Sequence, residues 1–116
     1  MAYCNISFVI VLVSFLSGGT TRLINGESVQ KTWCVAKPNV SETTLMNNIE
    51  FGCSKVNCSP IDQGGSCYEP DNYVAQASVV MNLYYQAAGG GSWDCDFGGT
   101  GLITTTDPSY GTCHYV

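Results

Sequence analysis

The chain has 116 residues, enough for one domain, and carries four Lys and Arg against nine Asp and Glu, a formal net charge of −5. That acidic balance excludes a polyanion such as nucleic acid as the natural partner and argues against an anionic membrane surface. A neutral ligand meets no such objection.

The first five residues carry no charged side chain, and Ile6 to Leu16 is then an almost unbroken apolar run followed by Ser17, Gly18 and Gly19. It is too short to span a bilayer comfortably and has the layout of a secretory signal peptide, although its start lacks a Lys or Arg. Residues 1–26 are therefore read as a signal peptide cleaved between Gly18 and Gly26, and 27–32 as a mobile lead-in to a domain over 33–116. Cleavage after Arg22 leaves Lys31, Lys37 and Lys55 against nine acids, a net charge of −6. It also removes Cys4 and leaves Cys34, Cys53, Cys58, Cys67, Cys95 and Cys113. An even count in a short exported chain reads as a disulfide framework, and spacing alone leaves fifteen pairings open. Each long-loop bridge contributes about 4 kcal/mol in the chain-entropy description. A zinc site is disfavoured, because there is no C-x-x-C pair and the one histidine, His114, has only Cys113 beside it. No metal and no cofactor is expected.

Ser41 can cap a first helix, with Leu45, Ile49 and Cys53 on one face. Cys58 to Pro70 is turn chemistry built on Pro60 and Gly64-Gly65. Asp71 or Asn72 opens a second helix to Ala88, with an inward stripe of Val74, Ala77, Met81, Tyr84 and Ala88, flanked by Ser78 and Tyr85. Gly89 to Gly91 stop it. Trp93–Phe97 and Leu102–Thr106, joined by a glycine-rich link, suggest a hairpin, and Cys113–Val116 a short third strand. The fold class is α+β: two α-helices packed on a small antiparallel β-sheet, with three disulfides. The chain stops three residues after Cys113 with no hydrophobic tail, so a secreted, soluble monomer without a membrane anchor is expected.

Catalytic signatures are lacking: there is no G-x-S-x-G, no H-E-x-x-H and no phosphate-binding glycine loop. The acids Glu69 with Asp71, and Asp94 with Asp96, read as solvated surface and not as the paired carboxylates of a glycosidase. Aromatic residues are the better lead, since a tyrosine ring matches the apolar C–H face and hydroxyl rim of a glucose ring. Trp33, Phe51, Tyr84, Trp93 and Phe97 are assigned to the core. Tyr110, in a Pro-Ser-Tyr-Gly turn, and Tyr115 are expected to be exposed and to form a stacking platform, bordered by Tyr73 and by the amide of Asn82. Asn39-Val40-Ser41 is a glycosylation sequon expected to be used at Asn39; Asn57-Cys58-Ser59 is expected to be too crowded.

Trp33-Cys34-Val35-Ala36, Cys58-Ser59-Pro60-Ile61, Gly64-Gly65-Ser66-Cys67-Tyr68-Glu69-Pro70, Ala75-Gln76-Ala77-Ser78, Asn82-Leu83-Tyr84-Tyr85-Gln86, Cys95-Asp96-Phe97 and Asp107-Pro108-Ser109-Tyr110-Gly111-Thr112-Cys113 together resemble the plant carbohydrate-binding module family 43, the X-eight domain. The resemblance covers nearly all of 33–115. It implies the pairing Cys34–Cys95, Cys53–Cys58 and Cys67–Cys113, a fold of two helices and a small sheet, and non-catalytic binding of β-1,3-glucan (callose) in the cell wall on Tyr110 and Tyr115. The chain departs from the family at Val79, where an aromatic is usual and one stacking platform is lost, at Ser54, often Gly, and at Asp71-Asn72. Two other roles fit the same residues: an accessory module or regulator beside a separate β-1,3-glucanase, or a disulfide-rich structural or defence protein whose glucan site has decayed.

Overall fold

The computed structural model describes residues 30–116. The expected signal peptide and the lead-in up to residue 29 lie outside the described residues. Strand β1 (Trp33–Ala36) pairs antiparallel with β2 (Gly101–Thr104), Trp33 facing Thr104 and Ala36 facing Gly101. Between them run helix α1 (Glu42–Cys53) and helix α2 (Tyr73–Ala88), with short 3₁₀ turns at Ser59–Ile61, Ser92–Cys95 and Phe97–Gly99. This is the α+β arrangement expected, and its compact unit spans Lys31–Val116.

The helix starts follow from their caps. Ser41 Oγ accepts from the Thr44 amide at 3.2 Å, and Asn72 Oδ1 from the Ala75 amide at 2.8 Å, each satisfying an amide the first turn leaves open. Helix α2 ends at Gly89, whose φ of 117° no other residue adopts cheaply. Leu45, Asn48 and Gly52 of α1 are buried, with Ile49 against the core. A Cβ on Gly52 would lie 2.3 Å from Val80 Cγ1, so the two helices meet at a site that excludes any side chain.

Helix α2 is buried more widely than a single stripe. Ala77 through Asn82 are all buried, and Tyr85, expected only as a flank, is 2 % exposed. Val74 and Ala88 point to solvent instead, and Tyr84 is only partly covered. The reason is that α2 is packed from several sides: by α1, by β1, and by the two loops that the Cys67–Cys113 bridge joins. Cys34, Ala36, Leu45, Ala77, Met81, Tyr85 and Cys95 form the main core; Cys67, Val79 and Cys113 form a second cluster.

The free edge of β1 is closed by α2. The Cys34 amide donates to Asn82 Oδ1 at 3.0 Å and the Ala36 amide to Ser78 Oγ at 2.9 Å. Four helical residues advance about 6 Å and two strand residues about 6.7 Å, so Ser78 and Asn82 match successive outward amides of the strand. Two side chains thus replace a third strand.

All three bridges implied by the family resemblance are present: Cys34–Cys95, Cys53–Cys58 and Cys67–Cys113. The last third differs from expectation. Trp93–Phe97 is not a strand but 3₁₀ turns, because Phe97, Gly98 and Gly99, at φ 45°, 64° and 88°, curl the chain. β2 therefore pairs with β1 and no local hairpin forms. Cys113–Val116 adds no strand; it is held by one isolated bridge between Tyr110 and Cys113. Thr32, placed in the lead-in, is tied down: its Oγ1 lies 2.7 Å from Tyr85 Oη, and its carbonyl accepts from Gln86 Nε2 at 2.9 Å.

Candidate functional site

Tyr110 sits at 37 % exposure on the wall of an open groove of 470 Å³, with Ser66, Glu69, Pro70 and Thr112 among its lining. Its backbone is paired in both directions with Cys113, at 3.0 and 2.8 Å, and its hydroxyl donates to the Glu69 carbonyl at 3.2 Å. Thr112 Oγ1 donates to the Ser66 carbonyl at 2.9 Å. With the Cys67–Cys113 bridge, these contacts hold the ring in place on its turn.

The other residues expected around it are placed differently. Tyr115 is half-buried, packed against Cys67, Val79 and Cys113, and its amide donates to Ser109 Oγ at 2.8 Å. Burial first, and the neighbouring Tyr110 second, push its hydroxyl far above the ordinary tyrosine range. It is partly buried against the second core cluster, which corrects the expectation of two exposed rings. Tyr73 is 39 % exposed but lines a separate depression with Glu42, Asp71 and Asn72. Asn82 is a second correction. It is 1 % exposed, its Oδ1 accepts from the Cys34 amide and from Gln86 Nε2, and its Nδ2 donates to the Val116 carbonyl. Its amide belongs to the packing between α2, β1 and the chain end. Val79 is likewise buried, at 5 %, so the missing aromatic there bears on packing and not on a surface platform.

A second aromatic surface was not legible in the sequence. Phe51 and Trp93, both assigned to the core, are 44 % and 78 % exposed. With Asn48, Tyr84, Asp94 and Phe97 they line a groove of 260 Å³. The rings of Phe51, Tyr84 and Phe97 meet edge to face, with centroids 5.2 to 6.1 Å apart. Trp33, also assigned to the core, is buried at 8 %. The usable signal for Trp93 was its setting, Gly89-Gly90-Gly91-Ser92 before it and Asp94 after it, which describes an exposed turn better than a strand.

Two of the four carboxylates weighed for catalysis, Asp71 and Asp94, make local hydrogen bonds. Asp71 accepts from Tyr68 Oη and Gln76 Nε2, and that contact raises the Tyr68 hydroxyl above its ordinary range. Asp94 Oδ2 accepts from the Gly91 amide. Among the described residues no group of His, Cys, Asp and Glu could hold a metal ion, and no helix is long and apolar enough to cross a membrane. Asn39 is exposed on the turn before α1, whereas Asn57 Oδ1 is engaged by the Ser59 amide at 2.9 Å.

Residues 32–102 match the family model of the X8 domain, well over half of the chain. The chain belongs to the X8 domain family. The match runs from β1 into β2 and includes the Trp93 groove, while Tyr110 and Tyr115 lie beyond it. Among its relatives, this X8 domain is 51 % identical over 85 residues to a glucan endo-1,3-beta-D-glucosidase of Olea europaea, covering 72 % of this chain but 18 % of the relative. The chain thus spans about a fifth of such glucosidases. It is 43 % identical over 88 residues to the major pollen allergen Ole e 10 of the same plant, covering 74 % of this chain and 72 % of the allergen. It is 35 % identical over 117 residues to plasmodesmata callose-binding protein 5 of Arabidopsis thaliana, covering 98 % and 65 %.

Proposed function

We propose that this X8 domain is a secreted, non-catalytic protein that binds β-1,3-glucan in the plant cell wall through Tyr110. The observation that carries this is the immobilised Tyr110 ring beside an open groove rimmed by Ser66, Glu69 and Thr112. A glucosyl ring stacks its C–H face on the phenol, and its hydroxyls reach the polar rim. Because the backbone of Tyr110 is already paired and bridged, little freedom is lost on binding. Tyr115 braces the turn through its packing on Cys67, Val79 and Cys113, and Tyr73, in its separate depression, would be an additional contact for a longer chain.

The names of the relatives support the same ligand, a callose-binding protein and glucan endo-1,3-beta-glucosidases. Three disulfides suit an oxidising, extracellular setting. That the chain corresponds to about a fifth of the glucosidases favours a second reading, in which it acts as an accessory module beside a separate catalytic domain. A β-1,3-glucanase barrel needs on the order of 250 residues, so hydrolysis by this chain is not part of either reading. The test is Tyr110→Ala, followed by retention on insoluble β-1,3-glucan and by thermal melting in parallel. Retention falls several-fold while melting stays near wild type. Equal loss of both would make the ring structural. Release of reducing sugar from soluble β-1,3-glucan by the wild-type chain would overturn the non-catalytic reading.

A further inference from the structure

We infer that the groove at Trp93 is a second binding surface for a neutral glucan chain, so that one X8 domain holds two stretches of polysaccharide. The inference rests on the glucan reading for the nature of the ligand, but on different residues.

Trp93 is the most exposed large apolar side chain among the described residues, at 78 %. Its indole is nevertheless positioned. A Cβ on Gly91 would lie 2.5 Å from Trp93 Cζ2, so the ring lies directly over that glycine. Gly91 has φ −74°, a value any residue adopts, and the indole in this position leaves no room for a side chain there. The turn beneath is locked, with Asp94 Oδ2 accepting from the Gly91 amide at 3.0 Å. One side of the ring thus rests on backbone and the rest faces solvent beside Phe51, Tyr84 and Phe97.

The groove also asks for hydrogen bonds. Asn48 is 8 % exposed, its Nδ2 donates to Thr100 Oγ1 at 2.9 Å, and its Oδ1 accepts no hydrogen bond among the described residues. Asn48 lines the groove, and that oxygen is not fully enclosed. Asp94 Oδ1 also remains available. An apolar partner would strip water from both acceptors and return nothing, whereas sugar hydroxyls donate to both. Charge is sparse there: among the described residues Asp94 is the one charged side chain lining the groove, and Lys55 lies 5.9 Å from the centre of the Phe51 ring. An aromatic platform with unpartnered acceptors beside it is the chemistry that recognises a pyranose.

The two grooves share no residue. Gln76, which holds the Tyr68 carbonyl near the Tyr110 groove, and Tyr84 of the second groove are eight residues apart on α2, about 12 Å along its axis. Two sites on one rigid body raise retention on a polymer beyond either alone.

The experiment uses the secreted chain, laminarihexaose as the soluble ligand and iodide quenching of tryptophan emission. Trp33 is buried, so quenching reports Trp93. Saturating hexaose should protect Trp93 from iodide in the wild type and equally in Tyr110→Ala. Trp93→Ala should melt as wild type does and weaken retention on insoluble β-1,3-glucan at least several-fold in the Tyr110→Ala background, with Trp93→Phe recovering part of the loss. Unprotected Trp93 together with Tyr110-dependent retention would overturn this inference and leave the Tyr110 reading intact. Protection of Trp93 with retention indifferent to Tyr110→Ala would leave the Trp93 surface as a glucan site, remove the Tyr110 site, and overturn the inference that one domain holds two stretches.

Discussion

Asn82→Ala separates a structural amide from a sugar-binding one. Three hydrogen bonds meet at this side chain, from the Cys34 amide, from Gln86 Nε2 and to the Val116 carbonyl. Alanine leaves the Cys34 amide buried without a partner, at a cost of about 1–3 kcal/mol. The two outer bonds are partly exposed and add about 1 kcal/mol together. The expected loss is about 2–4 kcal/mol. For a domain of this size each kcal/mol lowers the melting temperature by about 4–8 °C, so the variant should melt roughly 8–32 °C below wild type. Calorimetry under non-reducing conditions measures this, with glucan retention assayed well below the transition. Retention by the folded variant should equal wild type. An unchanged melting temperature with lost retention would refute the account, because it would put the Asn82 amide on the ligand.

The turn that carries Tyr110 should be acid-sensitive. Asp107 accepts from the Ser109 hydroxyl at 2.6 Å and from its amide at 2.9 Å, and these bonds hold its carboxyl below the ordinary 3.8. A depressed folded-state value stabilises the turn above pH 3.8, and that contribution is lost as pH falls through the folded-state value. An NMR titration of Asp107 should give a midpoint below 3.8, and a midpoint at or above it would contradict the assignment. Glycan mapping of the chain secreted from plant cells should find Asn39 occupied, because its side chain is exposed and uncommitted, and Asn57 bare; glycan on Asn57 alone would reverse the ranking. Non-reducing peptide mapping of the same sample should recover Cys34–Cys95, Cys53–Cys58 and Cys67–Cys113, with no free thiol among the six.

The helices were legible because their signals are local. Ser41 and Asn72 are caps that act within three residues, and Gly89 stops α2 through its own backbone. The sheet was not, because β2 pairs with a strand more than sixty residues earlier, and the Trp93–Phe97 segment alternates like a strand while its left-handed Phe97 forces a curl. The aromatic surfaces were half legible. Adjacency to a cysteine suggested burial for Trp93, but in a 3₁₀ turn residues two apart point about 120° from one another, so a buried Cys95 says nothing of Trp93. Asn82-Leu83-Tyr84-Tyr85-Gln86 was recognisable as a motif, yet its function could not be read from composition. Asn82, Tyr85 and Gln86 fasten Thr32 and β1 to α2, and Tyr84 alone reaches a groove.

Glucan binding itself is tested most directly by co-sedimentation of the secreted chain with insoluble β-1,3-glucan and, in parallel, with cellulose. The account predicts that the chain is depleted from solution by β-1,3-glucan and left in solution by cellulose, with no sugar released. A folded, fully oxidised chain that stays in solution with both polysaccharides would contradict it.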